Sequence, residues 1–341
     1  MSWSDSKRRM ELRFEGVVTF SDDDRDVKSL SPGGMFRLRE GGWLSSRTTE
    51  LTADASGTIH RRYWAGMSEK DFEPEGRLWL AEALPQIIRQ SGIAAKARVA
   101  RIFKAQGAKG VLAEIDLING SFGKRVYFSE LLNTPGIDAA ATAPALAQAG
   151  RQIDSDFELA TLLIDAGQRF IADDGVRRAY VEAARSIGSS FELRRALSAP
   201  VDTGKIDAAI LASLLEVSQG IDSDFELASL LENVAKRYQL NDVRGPFFKT
   251  LSTIDSSFEH ARVIKAVAGR GDLAPETIVD TLRSAEQIDS EFECAQALKA
   301  IVSQRQLAGD ARDLYIRIAG RFGDFEEGQA MTALVKSERR D

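Results

Sequence analysis

From residue 118 onward, the pattern of apolar and polar positions recurs with a period of about 34 residues. Each copy is centred on a phenylalanine that follows a short acidic or hydroxyl segment, as in IDSDFELA at 153–160 and again at 221–228. The six steps between the seven copies are 33 to 35 residues, a regularity that chance does not produce. We expect these phenylalanines to be structural anchors of the repeat, with their rings packed between adjacent layers. They are Phe122, Phe157, Phe191, Phe225, Phe258, Phe292 and Phe325.

The apolar residues around each phenylalanine predict an amphipathic helix. An isoleucine stands four residues before it in nearly every copy, and apolar residues stand five and six residues after it. A second helical segment separates consecutive copies, so each unit is a helix–turn–helix hairpin. One hairpin cannot bury its apolar stripe alone, whereas stacked neighbours can. The pattern therefore predicts an α-solenoid of about seven hairpins. The period matches tetratricopeptide repeats but their signature residues are missing, which indicates a non-standard TPR-like or HEAT-like repeat.

The polar residues of the repeated phrase fit a helix start. A serine two residues before the phenylalanine is followed three residues later by a glutamate, which is the capping-box pattern. The nearby aspartates Asp154, Asp222, Asp255 and Asp289 can share this role. A repeated catalytic or metal cluster is the alternative, and capping is favoured because a chain rarely needs five active sites. The predicted pairs are Ser155–Glu158, Ser189–Glu192, Ser223–Glu226, Ser256–Glu259 and Ser290–Glu293.

The amino-terminal third has a different, β-type pattern. Residues 11–65 contain short runs of partial alternation separated by turn signals, which predict a small antiparallel sheet of about five strands. The best hairpin joins 47–53 to 58–64 through DASG. From Phe72 the signal is helical. We therefore predict a mainly α protein with a β domain at 1–68, connecting helices at 69–117 and solenoid repeats at 118–341.

Composition narrows the function classes. The 341 residues carry a net charge of −6, which argues against nucleic acid as a partner. A single cysteine, two distant histidines and the absence of HExxH or CxxC spacing argue against a zinc site, and no cofactor motif is evident. No stretch approaches the roughly 18 apolar residues of a membrane span, and the first residues do not resemble a signal peptide. We therefore expect no direct membrane insertion.

Two segments of the β region are candidates for ligand chemistry. His60, Arg61, Arg62 and Trp64 lie in HRRYW on a predicted strand, where they form a basic–aromatic patch if they point to one side. The simpler interpretation is an alternating strand that faces solvent on one side. The SDDDRD segment at 21–26 begins as an EF-hand loop does but lacks its glycine and its final glutamate, so a solvated turn is favoured over a calcium site.

The remaining candidates for a functional role are four arginines in the predicted second helices, one histidine and one cysteine. Arginines Arg177, Arg178, Arg244 and Arg283 fall in second helices, where they offer anchors to an acidic peptide or, equally, charge for solubility. His260 and Cys294 occupy a position that holds leucine in other copies; we expect His260 to be a partly buried structural residue and Cys294 to be a small core residue. No catalytic residue is predicted.

The whole pattern resembles the soluble accessory part of bacterial membrane proteins, some of them sensor-type metallopeptidases of the antirepressor kind. The residues that carry the resemblance are ELRFEGVVTFSDDDRDVKSLSPGGMFRLRE, RRYWAG, EPEGRLWLAEALPQIIR, GVLAEI and the SDFELA-type repeats. The resemblance covers nearly the whole chain and implies an extracytoplasmic or membrane-tethered accessory domain whose anchor is absent here. The zinc motif and membrane helices of such peptidases are also absent, so no peptidase residue is carried over.

These observations favour a non-catalytic protein-interaction or sensory scaffold that binds a protein or peptide on the solenoid surface. One alternative is a small-ligand receptor or enzyme with a site where the β domain meets the first helices. Another is a self-assembling structural protein, because solenoid ends and sheet edges can stack.

Overall fold

The computed structural model describes residues 2–4, 9–41, 46–171 and 173–339. It confirms a mainly helical chain with a small antiparallel sheet at the amino-terminal end. The chain divides into two compact units, Met1–Ala141 and Thr142–Asp341. The first predicted repeat, at 118–150, spans this division.

The first unit contains eight described strands rather than about five. They are β1 (Ser2–Ser4), β2 (Arg9–Glu15), β3 (Val18–Phe20), β4 (Val27–Leu30), β5 (Met35–Glu40), β6 (Arg47–Ala53), β7 (Ile59–Ala65) and β8 (Ser68–Lys70). Six of them form one antiparallel sheet in the order β1-β2-β5-β6-β7-β8, and β3 pairs with β4 in a separate ribbon. The predicted hairpin is confirmed as β6 and β7, with Thr49 opposite Tyr63.

One face of the six-stranded sheet forms the core of the first unit. Strand alternation places Leu12, Phe36, Leu38 and Leu51 on this face, where they are fully buried. The first helix of the unit, α1 (Arg77–Ser91), covers them with an apolar stripe that includes Leu84. Two more helices, α2 (Ala95–Ile115) and α3 (Ser121–Leu132), follow in the same unit.

Helix α4 (Ala139–Gln152) crosses the division between the units, and eleven further described α-helices follow it, with one 3-10 turn at Leu240–Asp242. They are α5 (Asp156–Phe170), α6 (Asp174–Arg185), α7 (Ser190–Asp202), α8 (Ala208–Ser218), α9 (Asp224–Arg237), α10 (Arg244–Leu251), α11 (Ser257–Ala268), α12 (Pro275–Ala285), α13 (Glu291–Ser303), α14 (Gly309–Ala319) and α15 (Asp324–Glu338). The odd-numbered helices begin next to the repeated phenylalanines, where the sequence pattern predicted helix starts.

Helices of the second unit pack in two sets. Each odd-numbered helix from α5 to α13 packs against the next odd-numbered one. Each even-numbered helix from α6 to α12 packs against the next even-numbered one. Neighbouring copies of the repeat are therefore in contact through equivalent helices.

The predicted apolar stripe is confirmed except at its central residue. Residues five and six positions after the phenylalanine, such as Leu230 and Leu231, are buried, and so is Ile221 four positions before it. Burial of these aliphatic side chains between successive helices is the main stabilising contribution that a hairpin gains from its neighbours.

Candidate interaction surface

The repeated phenylalanines are exposed, which corrects the prediction that their rings pack between layers. Phe225 retains 57% of its accessible surface, and its counterparts in the second unit are similar. Among the described residues of that unit, seven large apolar side chains are exposed, and six of them are these phenylalanines. We call this set the phenylalanine row: Phe157, Phe191, Phe225, Phe258, Phe292 and Phe325. Phe122 in the first unit is also exposed.

Helix geometry explains the exposure. Each residue of an α-helix is rotated by about 100° from the previous one. The buried positions two, five and six residues after the phenylalanine therefore cluster on the side of the helix opposite its ring. In α9 these positions are Leu227, Leu230 and Leu231, all buried, while Phe225 points outward. Because equivalent helices pack side by side, the exposed rings follow one another from repeat to repeat.

Arginines of the chain itself stack on part of this row. The Arg195 guanidinium lies 5.8 Å from the ring centres of both Phe157 and Phe191. The Arg262 guanidinium lies 5.1 Å from the Phe225 ring, in the preceding repeat. Both arginines stand four residues after their own phenylalanine, so one repeat position supplies a cation to the ring of the repeat before it.

The carboxyl-terminal half of the row lacks this cation. The equivalent positions there are Gln296 and Gln329, which cannot supply a charge. Among the described residues, no arginine stacks on Phe258, Phe292 or Phe325. These three rings are therefore exposed apolar surfaces on which a cation is able to stack.

A groove adjoins the last of these rings. It has a volume of about 570 Å³ and lies between α13 and α15, with Asp324 and Phe325 at one end and Lys299 and Lys336 toward the other. Lys299 donates a hydrogen bond of 2.8 Å to Gln329. The lining of the groove is thus acidic and aromatic near Asp324 and Phe325 and basic near Lys299 and Lys336.

The predicted serine caps are present, but from Ser189 onward the preceding repeat, and not the glutamate of the same helix, binds the backbone N–H of the cap. Each cap oxygen lies 3.4 Å from the glutamate N–H three residues later. The carboxylates of Glu192 and Glu259 instead pair with Arg195 and Arg262, the same arginines that stack on the row. Glu226 pairs with Arg194 of the preceding repeat.

From Ser189 onward, the backbone N–H of each cap is bound from the preceding repeat, a contact that the sequence analysis missed. The acceptor is the polar side chain that directly precedes the phenylalanine. Asp156 accepts from Ser189 at 2.7 Å, and Asp224 accepts from Ser256 at 2.7 Å. The remaining acceptor–donor pairs are Ser190–Ser223, Ser257–Ser290 and Glu291–Gly323. The sequence signal for this contact was the polar residue that directly precedes the phenylalanine in every copy.

The predicted patch on β7 is divided between two faces of the sheet. His60, Arg62 and Trp64 lie on the exposed face, where Arg62 stacks 4.7 Å from the Trp64 ring and forms two hydrogen bonds of 2.8 Å with Glu69. Arg61 lies on the other face, 3.3 Å from the Asp26 carboxylate. The four side chains therefore do not converge on one site.

The arginines of the even-numbered helices mostly pair within the protein. Arg177 pairs with Asp174, while Arg244 and Arg283 both lie within 3.4 Å of Asp280. Arg178 is exposed and has no ion-pair partner among the described residues. Three of the four predicted anchors thus have carboxylate partners of their own.

A buried ionic cluster in the first unit corrects the prediction of a solvated turn at SDDDRD for Asp24, whereas Asp22 and Asp23 are exposed as predicted. Asp24 is 5% exposed, and its carboxylate pairs with Arg98 and, at 2.7 Å, with Arg101. Arg98 also binds Glu114 at 2.9 Å. The fully buried Tyr127 hydroxyl has no hydrogen-bond partner among the described residues, and burial raises its pKa to about 12. The cluster fixes the turn to the helices, so Asp24 has a structural role.

Cys294 is a buried residue, as predicted, and His260 is 3% exposed and therefore more deeply buried than predicted. His260 Nε2 lies 2.8 Å from Ser284 Oγ, and burial lowers the pKa of the imidazole. The Cys294 thiol donates to the carbonyl of Ala285 at 3.1 Å, and burial raises its pKa to about 12. Neither residue lies on the exposed face of its helix.

Three further observations bear on function. Among the described residues, no group of three or more histidines, cysteines, aspartates or glutamates is placed to hold a metal ion. No helix in the described part of the chain combines the length and apolar character of a membrane span.

No protein-family model matches the chain, and comparisons with curated proteins and with solved structures find no similar protein. The resemblance to accessory parts of membrane sensor-type metallopeptidases therefore stays a prediction.

Proposed function

We propose that this chain is a non-catalytic interaction scaffold, an α-solenoid of about seven hairpins that binds a protein or peptide along the phenylalanine row. The observation that carries the proposal is the concentration of exposed large apolar side chains at one repeat position. Isolated exposed apolar residues are common, but a contiguous set of them is typical of interaction sites. Stacked repeats offer an extended surface that suits such binding.

The inward position of the other apolar residues supports a binding role for the row. Buried aliphatic residues already satisfy the packing between repeats, so exposed rings are not needed to hold the helices together. Aromatic side chains contribute a large contact area with few rotatable bonds, which favours them at interfaces. The resemblance adds an extracytoplasmic or membrane-tethered location to the proposal.

Site-specific photocrosslinking tests this proposal. A photoreactive phenylalanine analogue placed at position 292 should capture a bound protein in cells of the native organism. The same analogue at the exposed Asp313 of α14 is the control, because that position lies in the even-numbered set. A defined adduct from position 292 and none from position 313 supports the proposal. Equal capture from both positions, or none from either, contradicts it.

A further inference from the structure

We propose that the open half of the phenylalanine row, formed by Phe258, Phe292 and Phe325, binds arginine side chains of an extended basic segment in a protein partner. This inference rests on the proposed function and specifies the chemistry of the partner. It follows from how the chain fills the other half of the same row.

The chain's own arginines show the contact that the open rings lack. Arg195 and Arg262 each extend from one repeat onto a ring of the preceding one. The corresponding residues for Phe258 and Phe292 are Gln296 and Gln329. The same surface is thus closed by an internal guanidinium in some repeats and open in others. An external guanidinium on the open rings reproduces a contact that the fold already makes.

The charge around the open rings complements a basic partner. Asp255 and Asp289 are exposed three residues before their phenylalanines and have no ion-pair or hydrogen-bond partner among the described residues. Asp324 is exposed directly beside Phe325. A guanidinium stacked on a ring is therefore close to carboxylates that accept its hydrogen bonds, which strengthens a cation–π contact. These carboxylates would repel an acidic segment.

The spacing of the rings selects an extended segment. Packed helices lie about 8–10 Å apart, and this distance sets the step between equivalent rings. The Arg195 guanidinium lies 5.8 Å from each of two successive ring centres, so the distance between these two centres is at most twice that length. A polyproline II chain rises about 3.1 Å per residue with three residues per turn, so every third side chain recurs on one side at about 9 Å. Arginine at every third residue matches the row.

Binding of nine-residue peptides to the full chain, followed by fluorescence anisotropy, tests the inference. The probes are three repeats of Arg-Ser-Pro and two matched peptides with lysine or citrulline in place of arginine. We expect the arginine peptide to bind most tightly, because guanidinium stacks on aromatic rings better than ammonium does and citrulline is uncharged. Equal binding of the citrulline peptide would contradict the inference.

Two double variants locate the binding. Phe258→Ala with Phe292→Ala should weaken binding of the arginine peptide roughly fourfold to twenty-fivefold, since each exposed cation–π contact contributes about twofold to fivefold. Gln296→Arg with Gln329→Arg keeps both rings but covers them with internal guanidinium groups, and it should weaken binding comparably. Val335→Ala, an exposed apolar residue outside the row, is the control and should leave binding unchanged.

The outcomes separate this inference from the proposed function. Unchanged binding in both double variants overturns the inference. Capture of a partner from position 292 without binding of the arginine peptide keeps the row as an interaction surface and overturns only the arginine chemistry. Sedimentation of the chain without peptide shows whether the chain associates with itself. Self-association that the phenylalanine variants abolish would make a second copy the occupant and would also overturn the inference.

Discussion

The carboxylate of Asp224 accepts a hydrogen bond of 2.7 Å from the backbone N–H of Ser256, the N-cap residue of the next odd-numbered helix. The two residues belong to successive repeats. The cap N–H is one of the backbone donors that a helix start leaves without an intrahelical partner. In a capping box the glutamate of the same helix would bind it, whereas here the preceding repeat does so. The bond therefore couples the start of one helix to the position of its neighbour.

Removing this bond should destabilise the second unit. Asp224→Ala leaves the Ser256 N–H without its charged acceptor, and we expect a loss of about 1–2 kcal/mol in the free energy of unfolding. Asp222→Ala is the matched control, because Asp222 is exposed and has no partner among the described residues. Urea unfolding followed by circular dichroism measures both. Equal effects of the two substitutions would show that the inter-repeat bond contributes nothing specific.

Because the Phe225 ring is exposed and Leu231 is buried, truncation of these two residues of α9 should lower the free energy of unfolding by unequal amounts. Phe225 is 57% exposed, so Phe225→Ala should cost about 1 kcal/mol, mainly through the lost contact with Arg262. Leu231 is fully buried, so Leu231→Ala should cost about 2–5 kcal/mol. Thermal and urea unfolding of both variants provide the comparison. A larger loss of stability for Phe225→Ala than for Leu231→Ala would mean that the Phe225 ring is buried in the core.

The sequence was sufficient for the local features of the repeat. Helix starts depend on capping residues and on an apolar stripe within one helix, and both are visible in IDSDFELA. The outward direction of Phe225 was also available, because a rotation of about 100° per residue places it opposite Leu230 and Leu231. The repetition of the ring suggested a core residue, and that inference neglected the rotation.

Contacts between distant segments were beyond sequence reasoning. The bond from Asp224 to Ser256 joins residues 32 positions apart, and its existence depends on how successive helices stack. The contact of Asp24 with Arg101 spans 77 positions and two kinds of secondary structure. An acidic turn sequence has the same composition whether its carboxylates face solvent or buried arginines. Only the packing of β3, β4 and α2 distinguishes the two cases.

The ionic cluster predicts a specific sensitivity in the first unit. Asp24→Asn removes one charge while keeping the shape, and asparagine tolerates the left-handed backbone that Asp24 adopts at a φ of +57°. Arg98 then lies buried without its full set of carboxylates, and we expect a loss of about 3–5 kcal/mol. Asp22→Asn in the same turn is exposed and should change stability by less than about 0.5 kcal/mol. Chemical unfolding of the pair is the measurement, and equal losses would contradict the assignment.

Removal of the buried Tyr127 hydroxyl, unlike removal of the Asp24 charge, should not lower the free energy of unfolding. The hydroxyl is buried without a hydrogen-bond partner among the described residues, so it lost its hydration on folding without compensation. Tyr127→Phe should therefore leave the stability unchanged or raise it by about 1 kcal/mol. Leu131→Ala, a fully buried position in the same helix, is the comparison and should lower it by about 2–5 kcal/mol. A clear loss of stability in Tyr127→Phe would mean that the hydroxyl has a partner.

The buried imidazole of His260 predicts a pH dependence of the second unit. Burial lowers the pKa of His260 below its ordinary value of 6.5, and the Ile254 backbone and the Asp224 carboxylate oppose this only in part. Below pH 6.5 the unfolded chain therefore binds a proton that the folded chain does not, so stability falls as the pH decreases toward the folded pKa. Within that window the slope approaches about 1.4 kcal/mol per pH unit. Leucine occupies the equivalent position in three other copies, so His260→Leu preserves an apolar core and removes the titrating group. Urea unfolding between pH 5 and pH 8 should show the gap between variant and wild type widening in favour of the variant as the pH falls, and parallel profiles would exclude His260 as the source.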